Sequence, residues 1–348
     1  MIKTKLTEML GIKHPIIQAG MGPYNTMKLS AAVANAGGLG IISSIGMGVV
    51  ALGFKPLFGF ENLTPREQML SSIQKVKELT KSSRGIFGIN VPVAVEFQSV
   101  AGELINAALE ARETDSEVAK RLKVIITSAG NPEPYVESIK ESGAYHFHVV
   151  PSPYHAKKVE KMGTDLVIAS GHEGGGHVAY DPVHTLVLLP EVVRSVKIPV
   201  VGAGGFCDGA TLAAALALGA VGIQMGTRFI ATKESDFLPS YKNFVRDIND
   251  VRDTVVAKGL FGNLRYLKNP AVLKMLELAK SGASEEEQVK FEIKSLEAID
   301  AGDIENSAMP GGEVAGRIKD IPTVKELIET IVKEAEEIIK TKLPKLVV

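Results

Sequence analysis

The chain has one cysteine, Cys207, no tryptophan, and only 5% aromatic residues. A single cysteine excludes an intrachain disulfide and any cysteine-rich metal cluster, and it suits a reducing cytosol. Charge of one sign is also missing. The 39 Lys+Arg are balanced by 40 Asp+Glu, for a formal net charge of -1, so electrostatics gives no case for a nucleic-acid or membrane-surface partner. No run reaches the roughly 18 apolar residues of a membrane span, and the N-terminal MIKTKLTEMLGIKHP lacks the apolar core of a signal peptide. A cytoplasmic protein acting on a small molecule is the expectation. What remains is ample: 348 residues, 45% of them hydrophobic, can bury a full core without metals or disulfides, and 34 glycines fit many tight strand-to-helix turns.

Eight short apolar runs recur, each followed by a turn and a segment with helical spacing. They span 14 to 21, 39 to 43, 87 to 93, 124 to 130, 145 to 152, 166 to 171, 198 to 205 and 222 to 229. Nearly all are continuous stretches, as expected of strands buried on both faces, so the pattern predicts a (β/α)8 TIM barrel, an α/β fold. Thr64, Pro65 and Glu67 mark the start of a helix over 64 to 80, and Gly163 and Gly219 close helices over 153 to 163 and 208 to 219. Residues 44 to 63 form a loop long enough to act as a lid. After the eighth strand the rhythm stops. Residues 233 to 316 read as a small helical insertion, and the amphipathic stretch 323 to 343 reads as the closing barrel helix. The barrel would then comprise 1 to 232 plus 317 to 348.

In such a barrel the site lies at the C-terminal ends of the strands. Three groups of residues fall there. Gly204 and Gly205 follow strand seven, and Gln224, Gly226 and Thr227 follow strand eight. Together they mark the usual phosphate corner, with the N–H groups at the start of the next helix as further donors. After strand six comes SGHEGGGH, in which the glycine run 174 to 176 clears side chains from a loop that ends in His177, a titratable imidazole at the mouth, and Gly171, Gly175 and Gly176 are candidate cofactor contacts. Gln18, Gly20, Met21 and Gly22, with Asn90 and Ser128, supply neutral groups suited to a flat heterocycle with carbonyl and imide edges. A ligand neutral at one end and phosphorylated at the other fits both requirements, and FMN is such a ligand. His14, His146 and His148 read as core residues, His184 as a bystander, and Cys207 as helix packing. His172 and His177 have no third ligand that would make a zinc site, so no metal is expected.

These residues resemble the FMN-dependent nitronate monooxygenases, formerly 2-nitropropane dioxygenases. Their superfamily also holds FMN-type enoyl-ACP reductases and NADH:quinone reductases. The resemblance is carried by HPIIQAGMG (14 to 22), AAVANAGGLG (31 to 40), FGIN (87 to 90), AGNP (129 to 132), EGGGH (173 to 177), VGAGGFCDGATLAAALALGA (201 to 220), MGTRFIATKES (225 to 235) and GGEVAGRI (311 to 318). It implies FMN held by the first strand's backbone, by Asn90, and by the loops at Gly204–Gly205 and Gly226–Thr227, with His177 as base or substrate anchor. DPVHTLVLLPEVV (181 to 193) is similar to the nitronate and quinone branch, whereas ITSAGNP (126 to 132) and VVPS (149 to 152) are similar to the enoyl reductase branch. Some relatives carry a lysine on strand five, where this chain has Val149, next to His148. The resemblance implies oxidation of alkyl nitronates with O2. The alternatives are NAD(P)H-dependent reduction of an enoyl thioester or a quinone and, outside enzymes, a flavin-storing or sensing barrel. A homodimer stays open.

Overall fold

The computed structural model describes residues 2–47, 62–259 and 262–347. Most of the expected lid over 44 to 63 lies outside the described residues. Eight parallel strands form one sheet: β1 (Ile16–Gln18), β2 (Gly40–Ser43), β3 (Phe87–Pro92), β4 (Leu122–Ser128), β5 (Tyr145–Val150), β6 (Leu166–Ser170), β8 (Val200–Ala203) and β9 (Ile223–Met225). Their order is β1-β9-β8-β6-β5-β4-β3-β2, and a parallel bridge between Ile17 and Leu39 joins the two ends into a barrel. A two-residue strand in the loop after β6, β7 (Gly176–His177), belongs to a separate sheet.

All eight apolar runs become barrel strands. The last is shorter than its run, because the chain turns at Gly226 into a short helix, Thr227–Ile230. Alternate residues of each strand face inward. Ile17, Leu39, Ile41, Val124, Ile126, Phe147, Leu166, Ile168, Val201 and Ala203 fill the barrel interior, while residues such as Ile16, Ile42, Ile89 and Ile125 pack against the helical shell. Thr64 opens the helix Pro65–Leu79 with a capping box, its N–H donating to Glu67 Oε2 at 2.8 Å. Gly163, at φ 98°, ends the helix Pro153–Met162. The closing helix is Val324–Glu337, whose buried stripe includes Val324, Leu327, Ile328 and Ile331.

The segment 233 to 316 is not wholly helical. It contains the helices Pro239–Asp247, Pro270–Lys280 and Glu285–Asp300, but also an antiparallel pair, β10 (Thr254–Gly259) and β11 (Gly262–Leu267), to which β7 adds a third strand. The signal was present in the chain. The β-branched run Thr254–Val256, the polar/apolar alternation Asn263, Leu264, Arg265, Tyr266, and glycines at both inner ends mark the hairpin. The charged helix that follows masks it. Ala257, Leu264 and Tyr266 pack with Val272, Met275 and Ala308 into a core of the insertion's own.

Candidate functional site

Strand alternation decides which of the expected residues face the barrel mouth. Ile17 points inward and Ile16 points to the shell, so Gln18 also points to the shell. Its fully buried amide is consumed there: Nε2 donates to Ile41 O at 2.8 Å, and Oε1 accepts from Ile41 N at 3.1 Å. Gln18 therefore bonds β1 to β2 at the barrel's closure. The same rule turns Asn90, Ser128, Val149, Ser170 and Gln224 inward. None of these five carries a charge. His146 and His148 face the shell, so His148 does not stand in for a cation at Val149.

Asn90 is buried on β3 and donates through Nδ2 to Ser128 Oγ at 3.3 Å and to Ile126 O at 3.4 Å. Its Oδ1 points at Gly20, where a Cβ would sit 2.2 Å away. Gly20 is thus the residue that admits the Asn90 amide. Gly22 makes room for Ile45, whose Cγ2 lies 2.4 Å from an ideal Cβ, and Gly226 lets the Met21 sulfur approach. Gln18 to Gly22, Asn90, Ser128 and Gly226 form one connected wall at this end of the barrel.

The glycine turns after β6 and β8 meet backbone to backbone, and Gly311–Gly312 links the loop after β6 to Thr227 after β9. A Cβ on Gly204 would lie 2.8 Å from Gly171 O, and one on Gly175 would lie 2.6 Å from Gly312 N. Gly176, Gly204 and Gly205 take φ values of 74°, 84° and 82°, a region where side chains are strained. Gly312 N donates to Thr227 Oγ1 at 2.9 Å, which leaves the Thr227 O–H free to donate elsewhere. The N–H groups of Thr227 and Arg228 open their helix and have no carbonyl to bond within it. The result is a corner of main-chain N–H groups that suits a compact anion, with the Glu173 carboxylate beside Gly171 and Gly205 taken up by Thr185 N and Oγ1.

The expected donors at the start of the next helix are not part of this corner. The helix Gly209–Ala217 is capped by Asp208, which accepts from Thr211 N at 2.9 Å, and Gly209 N donates to Glu334 Oε2 at 2.8 Å. Two carboxylates already satisfy that terminus, so an added anion would meet like charge there.

His177 is exposed and sits on β7, paired with Leu264 of β11 and not with a barrel strand. The segment leading to it is held by Glu173 and Glu313, which lie in the EGGGH and GGEVAGRI motifs without a role assigned from sequence, and by Arg265, which lies in no motif. Glu173 accepts from Thr185 N with both carboxylate oxygens at 3.0 Å. Arg265, on β11 and almost fully buried, donates to His172 O through Nε at 3.1 Å and Nη2 at 2.9 Å. Glu313 N donates to Glu173 O at 3.0 Å. Arg265 lies in a charge-rich stretch with no motif of its own.

The other histidines are accounted for by packing. Thr127 Oγ1 lies 2.7 Å from both His146 Nε2 and His148 Nδ1. Burial pushes the His146 imidazole down to about 4. Burial, and then the neighbouring His146 and His155, push His148 down to about 3. His14 is also buried and lowered. Cys207 is buried and its thiol is pushed up to about 11, mainly by burial, which leaves it a poor nucleophile at neutral pH. His184 Nδ1 lies 3.7 Å from Glu173 Oε2, and its ring meets that of His172 edge-on. Among the described residues no group of three or more His, Cys, Asp or Glu is arranged to hold a metal ion, and no helix is long and apolar enough to cross a membrane.

Known proteins share this architecture along nearly the whole chain. FabK from Thermotoga maritima superposes with a TM-score of 0.83 at 36% identity, covering 100% of both chains. Nitroalkane oxidase from Streptomyces ansochromogenes superposes with a TM-score of 0.75 at 26% identity, covering 97% of this chain and 99% of that one. A (3aS,4S,5R,7aS)-5-hydroxy-7a-methyl-1-oxo-octahydro-1H-indene-4-carboxyl-CoA dehydrogenase of Rhodococcus jostii is 32% identical over 96% of each chain. A probable nitronate monooxygenase of Staphylococcus aureus is 30% identical over 98% of this chain and 99% of its own. The family described as nitronate monooxygenase matches residues 3–334, so the chain belongs to that family and is an oxidoreductase.

Proposed function

We propose that the chain is an FMN-dependent oxidoreductase that oxidises alkyl nitronates with O2. The observation that carries the cofactor is the main-chain corner where the turns after β6 and β8 meet and Gly311–Gly312 links the loop after β6 to Thr227, next to a neutral barrel mouth. The groups present fit FMN: Gly204, Gly205, Thr227 and Arg228 N–H and the Thr227 hydroxyl as donors to the phosphate, and the Asn90 Oδ1 acceptor with Ser128 and Gln224 for the flavin edge. FMN bound there would supply two-electron redox chemistry. The protein's own part is to bind, orient and manage protons. The Asn90 amide, locked by Ser128 and Ile126, presents a fixed acceptor, while the Thr227 hydroxyl, oriented by Gly312, presents a fixed donor. His177 offers an imidazole that can anchor an anionic nitronate when protonated or accept a proton when neutral. The family match and the probable nitronate monooxygenase of S. aureus support this substrate.

A second reading has specific support. The R. jostii relative is named for a CoA ester, and FabK matches over the full length. Under this reading NADH or NADPH donates electrons and an enoyl thioester or a quinone receives them.

The test is the donor that bleaches the flavin. In anaerobic mixing, propionate 3-nitronate or an alkyl nitronate should bleach the flavin absorbance rapidly, O2 should restore it, and NADH and NADPH should act slowly or not at all. Fast bleaching by a nicotinamide with recovery on an enoyl thioester or quinone, and no reaction with any nitronate, would replace the first reading by the second.

A further inference from the structure

The segment that presents His177 contains Gly174, Gly175 and Gly176, which have no side chains to hold a conformation, and Gly176 takes φ 74°. Something else must fix where the imidazole stands. The insertion does so at both ends of the glycine run. At the far end, Gly176 and His177 pair with Arg265 and Leu264 in the antiparallel ladder, and Val178 N donates to Asn263 O at 3.0 Å. At the near end, two consecutive carbonyls are taken: His172 O accepts from the Arg265 fork, and Glu173 O accepts from Glu313 N. The two holders are themselves joined, Arg265 Nη2 lying 3.2 Å from Glu313 Oε1, and Arg265 Nη1 is spent on Thr254 Oγ1 at 3.0 Å.

Paired residues in an antiparallel ladder share a face, so Arg265 projects with Gly176 on the face opposite to His177. It reaches around the back of the glycine run and does not enter the imidazole's surroundings. A buried guanidinium with its donors committed to one carbonyl, one hydroxyl and one carboxylate is a rigid strut.

We infer that Arg265, with Glu313, is a positioning residue that acts through His177: the pair latches the insertion to the glycine run and thereby sets the imidazole's place. This rests on the functional reading above, in which His177 acts on substrate.

Arg265→Lys is the test. It keeps a cation beside Glu313, and so the fold, but a single ammonium cannot reproduce the fork. Flavin content should stay near that of the wild type, and flavin reduction by whichever of propionate 3-nitronate and NADH reduces the wild type should slow on the order of 10²-fold, a common loss for a misplaced group. The double variant Arg265→Lys/His177→Asn should be no slower than His177→Asn alone, because a strut for an absent imidazole has nothing left to place. In the flavin-free protein, amides of residues 172–178 should exchange about tenfold faster in Arg265→Lys than in the wild type. Glu313→Gln, which keeps the Glu313 N–H but drops the charge, should show the same non-additivity with a smaller loss.

Losses that multiply in the double variant, unchanged exchange, or wild-type turnover in Arg265→Lys while His177→Asn is slow would each overturn the inference. Loss of flavin in both Arg265→Lys and Glu313→Gln would overturn it too, by making the pair part of the cofactor site. Wild-type turnover in His177→Asn would sink the functional reading itself and this inference with it.

Discussion

Gly205 is the residue at which the phosphate assignment is most directly tested. An ideal Cβ there meets nothing closer than Glu173 at 3.9 Å, so a side chain has room, though φ 82° strains it. Asn and Asp have the same shape and both tolerate left-handed backbone better than most residues. Any difference between them is therefore a difference of charge. Gly205→Asp places a carboxylate in the main-chain corner and should be isolated largely without flavin, while Gly205→Asn should keep most of it. The FMN released on denaturation, per protein, is the measurement; equal retention in the two variants would move the phosphate elsewhere. Gln18 shows the opposite case, a residue that looks like a ligand and is a fastener. Gln18→Ala leaves the Ile41 N–H without its partner and should cost about 2 kcal/mol in urea denaturation. The flavin content of the folded fraction should not change.

The helix Gly209–Ala217 follows the Gly204–Gly205 turn, and by sequence its N-terminus is an anion site. The element arrives already capped by Asp208 and Glu334. Asp208→Ala should therefore lower stability by about 1 kcal/mol, the usual cost of a lost N-cap, without lowering flavin content. A large drop in bound FMN with intact stability would return the phosphate to this helix. The hairpin β10–β11 is the second element whose role depends on placement. Its strand pattern could be read from Thr254 to Leu267, but nothing local says that it pairs with Gly176–His177 across more than eighty residues of chain.

Over the whole molecule, three buried histidines contribute, beside carboxylates such as Asp115 that are lowered by their partners, to how stability depends on pH. His14, His146 and His148 are neutral in the native state, with their native values below the ordinary 6.5. In the unfolded chain they take up protons near pH 6.5. Below that pH the unfolded state binds more protons, so acidification favours it. Their contribution is complete above about pH 6.5 and is lost as pH falls towards about 4 for His146 and about 3 for His148. Asp165 and Asp236, raised by burial, have the opposite slope at the acid end. Urea denaturation between pH 7 and pH 4 should show falling stability. His146→Gln, which keeps a polar partner for Thr127 and cannot take up a proton, should flatten part of the fall; an unchanged slope would show that His146 is not one of the groups responsible.

The sequence by itself determined the barrel. Eight apolar runs at regular spacing, each closed by a turn, leave the chain few other ways to bury both faces of every strand, and local signals such as Thr64, Pro65 and Glu67 place helix ends within a residue or two. It also located the corner, because glycines at positive φ and threonine at a strand end are local requirements. Three matters waited for the tertiary structure. Whether Gln18 faces the mouth or the shell depends on a one-residue phase in a three-residue strand, too short for its pattern to show. Whether a helix N-terminus is free depends on Glu334, which lies 125 residues away from Gly209. The setting of His177 depends on Arg265 and Glu313, which reach it only after the insertion has folded back over the barrel. Propensity and periodicity act between near neighbours. The partners of the Gln18 amide, the Gly209 N–H and the Arg265 guanidinium are chosen by packing at long range, and no short window of the chain contains both halves of those contacts.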